Sequence, residues 1–197
     1  MAYPTIAGPY GLVPVKLLSG VPFVGLTRQY SIASAYDTNI FHGDAVTLVT
    51  GGTIARDTAD AAMTPIGVFL GCTFTDPSSG NVTFRQYFPA DTAASDIRAY
   101  VADGTDILFK VAVVSSGTTI GDLAITDIGA NVAGVNNAGS TVTGNSKIAI
   151  SDTSATTNTL PFRIVELVEE TKNSSGGYTE AYVKWNAGHQ FDNATGI

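Results

Sequence analysis

Apolar residues in this chain recur at every second position over short runs, and the runs are cut by Gly, Pro, Asp, Asn and Ser. That is the period of a β-strand with one face on a core, with turn residues between strands. Phe41-His42-Gly43-Asp44-Ala45-Val46-Thr47-Leu48-Val49 opens on a Gly-Asp turn and then alternates. The sharpest alternation puts Ile66, Val68, Leu70, Cys72 and Phe74 on one face, with Gly67, Phe69, Gly71, Thr73 and Thr75 on the other. Asp76-Pro77-Ser78-Ser79-Gly80 breaks the pattern and Val82, Phe84, Gln86 and Phe88 resume it, which predicts an antiparallel hairpin over residues 66–88. Another strand is expected over residues 107–114, where β-branched side chains disfavour a helix. Residues 90–96 are expected to hold one turn of helix. A closing hairpin pairs 162–169 with 178–186 across Asn173-Ser174-Ser175-Gly176-Gly177.

These elements predict an all-β chain, an antiparallel β-barrel or sandwich core, with an extended N-terminal arm and a Gly/Ser/Thr-rich extension. Residues 1–28 are rich in Pro and Gly and form the arm, with Val13-Pro14-Val15-Lys16-Leu17-Leu18 as a short edge strand. Residues 29–114 form the β core. Residues 115–160 are dominated by Ser, Thr, Gly and Asn, and read either as a long loop with short strands or as an extension ordered by a partner. Residues 161–197 supply the closing hairpin and a loose tail. At 197 residues and 44% hydrophobic content, one globular domain overall accounts for the chain.

Charge changes the picture more than length does. Only 14% of residues are charged, 10 basic against 17 acidic, so Thr, Ser, Asn and Gly must cover much of the surface. Depletion of charge is a property of protein interfaces and points to assembly. The net charge of −7 and the scatter of Arg28, Arg56, Arg85, Arg98 and Arg163 argue against a nucleic-acid partner, which requires clustered cations. Met1-Ala2-Tyr3-Pro4 lacks the basic and apolar regions of a signal peptide, and no run is long enough to span a bilayer, so no membrane role is expected.

Candidate chemistry is sparse. His42 and His189 are far apart and outside any metal-ligand spacing; both read as structural. Cys72, the single cysteine, excludes an intrachain disulfide and falls on the inward register of the best strand, where it acts as a small hydrophobe. Asp57 with Asp60, and Asp103 with Asp106, are spaced three apart in loops but fall short of a calcium loop. Glu166, Glu169 and Glu170 read as the wet side of a hairpin. Asn81, Asn173 and Asn193 begin formal glycosylation sequons, read as chance without a secretion signal. Tyr30, Tyr36, Phe41, Tyr87, Phe88 and Tyr100 are expected in a core or subunit interface, and only a line of exposed rings among them would make a sugar groove. No nucleophile elbow, phosphate loop or dinucleotide turn occurs, so the expectation is no enzyme, with no catalytic, cofactor or metal residues.

Four short motifs carry a resemblance. Pro9-Tyr10-Gly11, the Phe41-His42-Gly43-Asp44-Ala45-Val46 step, the Pro65-Ile66-Gly67-Val68-Phe69-Leu70-Gly71 step and Thr143-Gly144-Asn145-Ser146 resemble small structural proteins of tailed bacteriophages, in particular capsid decoration (head cement) proteins of marine and cyanophage type. The resemblance implies a β-rich virion protein on the outer capsid surface, facing away from packaged DNA and made in the host cytoplasm. It further implies a homo-oligomer, a trimer favoured, that clamps neighbouring major capsid proteins, with residues 1–28 and 115–160 as contacting arms. The alternative is a tail-associated or host-surface adhesion module that binds glycans.

Overall fold

The computed structural model describes residues 8–171 and 178–192 of the chain. It is all-β, with two sheets in a sandwich-like arrangement. In chain order the strands are β1 (Val13–Leu17), β2 (Arg28–Ile32), β3 (Ala45–Val49), β4 (Thr53–Arg56), β5 (Gly67–Thr75), β6 (Val82–Arg85), β7 (Arg98–Ala102), β8 (Ile107–Ser116), β9 (Thr119–Ile120), β10 (Asn131–Val135), β11 (Ala149–Ala155), β12 (Phe162–Leu167) and β13 (Glu180–Trp185). The first sheet holds β2 to β7 and the second holds β1 and β8 to β13. The chain changes sheet twice, between β1 and β2 and again after Ala102, and residues 29–114 divide between the two sheets and their two buried clusters.

In both sheets the pairing path returns to its start. The first runs β2-β4-β3-β5-β7 and back to β2, and the second runs β8-β11-β10-β12-β13 and back to β8. The two circuits share one topology: β2–β4 and β8–β11 are the parallel pairs, and all others are antiparallel. They share register as well. Leu48 opposite Ile54 and Val49 opposite Thr53 correspond to Gly134 opposite Ile150 and Val135 opposite Ala149. A bulge separates Phe69 from Gly71 in β5 and Ile164 from Glu166 in β12, and in each circuit it faces the same tripeptide, Ala99-Tyr100-Val101 or Ala181-Tyr182-Val183. Gly43 and Gly129, both at φ 90°, enter β3 and β10 by equivalent bonds, their N–H groups donating to Phe69 O and Ile164 O. The chain is thus a structural tandem repeat.

Core positions follow the repeat. Ile32, Ile54, Phe69, Cys72 and Val101 lie in the first buried cluster where Val113, Ile150, Ile164, Leu167 and Val183 lie in the second. Each such side chain contributes about 1.5–3 kcal/mol through burial. The bulge corrects the expected face of the best strand. An extra residue at Leu70 reverses the alternation, so Val68 and Leu70 pack with the second cluster, while Ile66, Phe69, Cys72 and Phe74 pack in the first.

The 66–88 hairpin forms as β5–β6, and the closing hairpin as β12–β13. Phe88 leaves β6 to bridge Ile40, and Val82 and Phe84 are exposed. Residues 90–96 form an irregular loop and not a helical turn; Asp91, at φ 59°, is incompatible with one. Residues 115–160 contain β9, a single 3-10 turn at Ile125–Asp127, β10 and β11, and bury Leu123, Val132, Ile148 and Ile150 in the second cluster. In the expected tail, Gln190 accepts from Leu48 N at 2.7 Å and donates to Leu48 O at 2.9 Å, capping β3 as a strand residue would.

Candidate functional site

The four motifs quoted above meet at one place between the sheets. Phe41 to Asp44 lead into β3, and residues 144–146 approach β11 from the other sheet. His42 N–H donates to Gly144 O at 3.0 Å and Ser146 N–H donates to His42 O at 2.9 Å, a parallel bridge between the sheets. Leu12 N–H donates to Gly43 O at 2.9 Å, and Gly43 N–H to Phe69 O at 2.8 Å. Gly11 is required by close approach: a Cβ there would stand 2.7 Å from Ser146 Cβ. It is also required by its φ of 89°.

Asp44 is the buried charge at this junction. Its Oδ2 accepts from Phe41 N–H at 2.8 Å and lies 3.0 Å from Arg56 Nε, and its Oδ1 accepts from Ser146 Oγ at 2.5 Å. The Arg56 Nε approach lacks hydrogen-bond alignment, so the contact is chiefly coulombic. Arg56 also donates to Asn137 O at 2.8 Å, tying β4 to the second sheet. Burial raises the Asp44 carboxyl above the ordinary range, opposed by Arg56, Ser146 and the Phe41 amide. Both Ser146 oxygen functions are committed, since Oγ also accepts from Ile148 N–H at 3.0 Å.

Beside the junction lies an open cleft of about 510 Å³, lined by Tyr10, Ser140, Thr143, Asn145, Lys147 and Tyr178 among others. Tyr10 donates to the buried Glu180, which also meets Lys110 Nζ at 3.2 Å; burial and Glu180 push the Tyr10 phenol far up. Tyr178 donates to Thr118 O. In its walls Asn145 and Tyr178 are engaged in hydrogen bonds of the fold, and Lys147 adds a cation.

The remaining candidates are dispersed. His42 is half-buried and its pKa lowered by burial. His189 is buried beside Trp185, accepts at Nδ1 from Phe191 N–H at 3.3 Å, and is likewise lowered by burial. Burial pushes the Cys72 thiol up to about 12, which keeps it protonated. Asp57 accepts from Ala59 N–H and Thr64 N–H, and Asp60 from Asn136 N–H, so both organise loops. Asp103 pairs with Arg28 at 3.1 Å and accepts from Tyr30 OH at 2.7 Å, while Asp106 is exposed. Among the described residues no three His, Cys, Asp or Glu side chains gather as a metal site. Glu166 pairs with Lys16 at 3.0 Å, and Glu169 and Glu170 are exposed. Asn81 is exposed; Asn173 and Asn193 lie outside the described residues. None of Tyr30, Tyr36, Phe41, Tyr87, Phe88 and Tyr100 is exposed: Phe41 stacks on Tyr87 and Phe88 meets Phe74 edge-on.

The sequence showed no sign of the Asp44–Arg56–Ser146 group, because its members are up to 102 positions apart. No helix among the described residues is long and apolar enough to cross a membrane. No protein-family model, no curated protein and no solved structure matches this chain.

Proposed function

We propose that this chain is a virion structural protein that decorates the outer surface of a phage head and stabilises it by clamping neighbouring major capsid proteins. The observation that carries the reading is a charge-free run, residues 18–27, in which Leu18, Val21, Val24 and Leu26 are all more than half exposed. Four large apolar side chains held in water within one short loop mark a protein-contact surface. The convergence of the four motifs supports the same reading, since the segments that carry the resemblance build one buried, hydrogen-bonded joint between the sheets. Mechanism here is contact area: a clamp acts by burying apolar surface across two subunits at about 25 cal/mol per Å² before association costs. A homo-oligomer, a trimer favoured, multiplies such contacts.

The test is reconstitution. Purified protein is mixed with heads that lack it, sedimented, and the heads are heated. Saturable co-sedimentation with raised disruption temperature is the expected result; absence of binding to heads, with binding to tails or to glycans, sinks the proposal in favour of adhesion.

A further inference from the structure

The tandem repeat exposes an asymmetry. In the second circuit, β1 lies antiparallel on the edge of β8, with Val13 opposite Lys110, Pro14 opposite Phe109, Lys16 opposite Leu108 and Leu17 opposite Ile107. The residues of the first circuit equivalent to 107–110 are 26–29, because Arg28 faces Val101 as Phe109 faces Val183, and Gln29 faces Tyr100 as Lys110 faces Tyr182. Among the described residues no strand pairs with this edge on the side away from β7; β4 joins β2 only further on, at Ser31 and Ile32. Burial follows occupancy. Ile107, under β1, is 1% exposed, and its counterpart Leu26 is 62% exposed; Leu108 is buried, and its counterpart Thr27 is exposed.

We propose that the edge formed by Leu26, Thr27 and the first two residues of β2 is a docking site for an extended strand of a partner polypeptide, added antiparallel as β1 is added to β8. Resting on the proposed function, the strand belongs to the major capsid protein. An open strand edge presents unpaired backbone donors and acceptors, and strand addition satisfies them whatever the partner's sequence. Specificity then comes from side chains. The occupied edge takes Val13-Pro14-Val15-Lys16-Leu17, so the incoming strand is of the same kind, apolar at alternate positions to cover Leu26 and Val24. At the start of β2 the Arg28 cation is already paired with Asp103, so it gives an acidic residue of the incoming strand little attraction. The chain's own β1 is not available, being already paired along its length with β8.

The experiment is amide hydrogen exchange by mass spectrometry on the full-length protein, free and bound in purified particles, with a photo-crosslinking residue at Gln29. Free protein is expected to exchange quickly at residues 24–29 and slowly at 107–110. Binding slows 24–29 by about tenfold or more, and the crosslink falls on the capsid protein. Leu26→Lys, at an exposed site and so leaving the melting temperature unchanged, weakens binding to undecorated heads by about tenfold or more, the effect of losing one buried Leu. Particle-bound protein with unprotected residues 24–29 overturns the docking site and leaves the proposed function standing. A crosslink to a second copy of this chain overturns the choice of occupant. Absence of the chain from particles overturns both.

Discussion

At the residue scale the decisive group is Asp44. It joins β3, Arg56 of β4 and Ser146 of the other sheet in one buried cluster. Breaking a buried pair leaves the partner charge uncompensated, at about 3–5 kcal/mol. Asp44→Ala is therefore expected to lower unfolding free energy by about that amount in denaturant titration; a loss under about 1 kcal/mol means the buried cluster does not hold the junction together. Cys72 gives an independent check of core placement. With its thiol pushed up to about 12 and no exposed surface, it should resist alkylation at pH 8 in native protein and react within minutes in denaturant. His42 and His189 set a pH dependence. Both are lowered by burial from the ordinary value near 6.5, so the unfolded chain takes up protons that the native state refuses. Their contribution is full above pH 6.5 and declines as pH falls below it. A His189→Gln variant should show a shallower loss of stability between pH 7.5 and 5 than the parent, read from denaturant midpoints; an unchanged slope would place His189 in solvent.

At the element scale the two bulges make a comparison within one molecule. Gly71 sits at φ +141°, with Phe84 Cζ 2.9 Å and Arg85 O 3.1 Å from where a Cβ would stand, whereas its counterpart in β12 is Glu166, an exposed residue paired with Lys16. Gly71→Val should cost about 1–3 kcal/mol through strain and displacement of Phe84, while Glu166→Ala should cost under about 1 kcal/mol. Equal costs would contradict the bulge geometry. The bulges also explain what was legible in the sequence. Period-two runs announced β5, β8, β12 and β13 because each is long and apolar. The facing of β5 was not legible, since one inserted residue at Leu70 reverses a pattern that reads as continuous. Strands β10 and β11 were hidden because their apolar runs, Val132-Ala133 and Ile148-Ala149-Ile150, are short and set in a stretch dominated by Gly, Asn, Ser and Thr. Asn131 is buried there only through its own bonds to Thr157 O and Arg163 Nε.

At the scale of the whole molecule the tandem repeat was invisible in the sequence. The circuits match in topology, register and interior positions, yet share little beyond Ala-Tyr-Val, because a core position asks for apolar volume and not for one residue. The same repeat makes the differences informative: one β8-type edge is covered by β1, and its twin on β2 is paired with no strand among the described residues. The inter-sheet joint was equally illegible, built from contacts between distant segments that no local pattern encodes. A chain with 14% charged residues, an exposed apolar loop and an open strand edge is expected to bury part of this surface in an assembly. The most direct measurement is the copy number of this chain relative to the major capsid protein in purified virions, by quantitative mass spectrometry. A decoration role predicts abundance comparable to that of the capsid protein; a handful of copies per particle, or none, would contradict it.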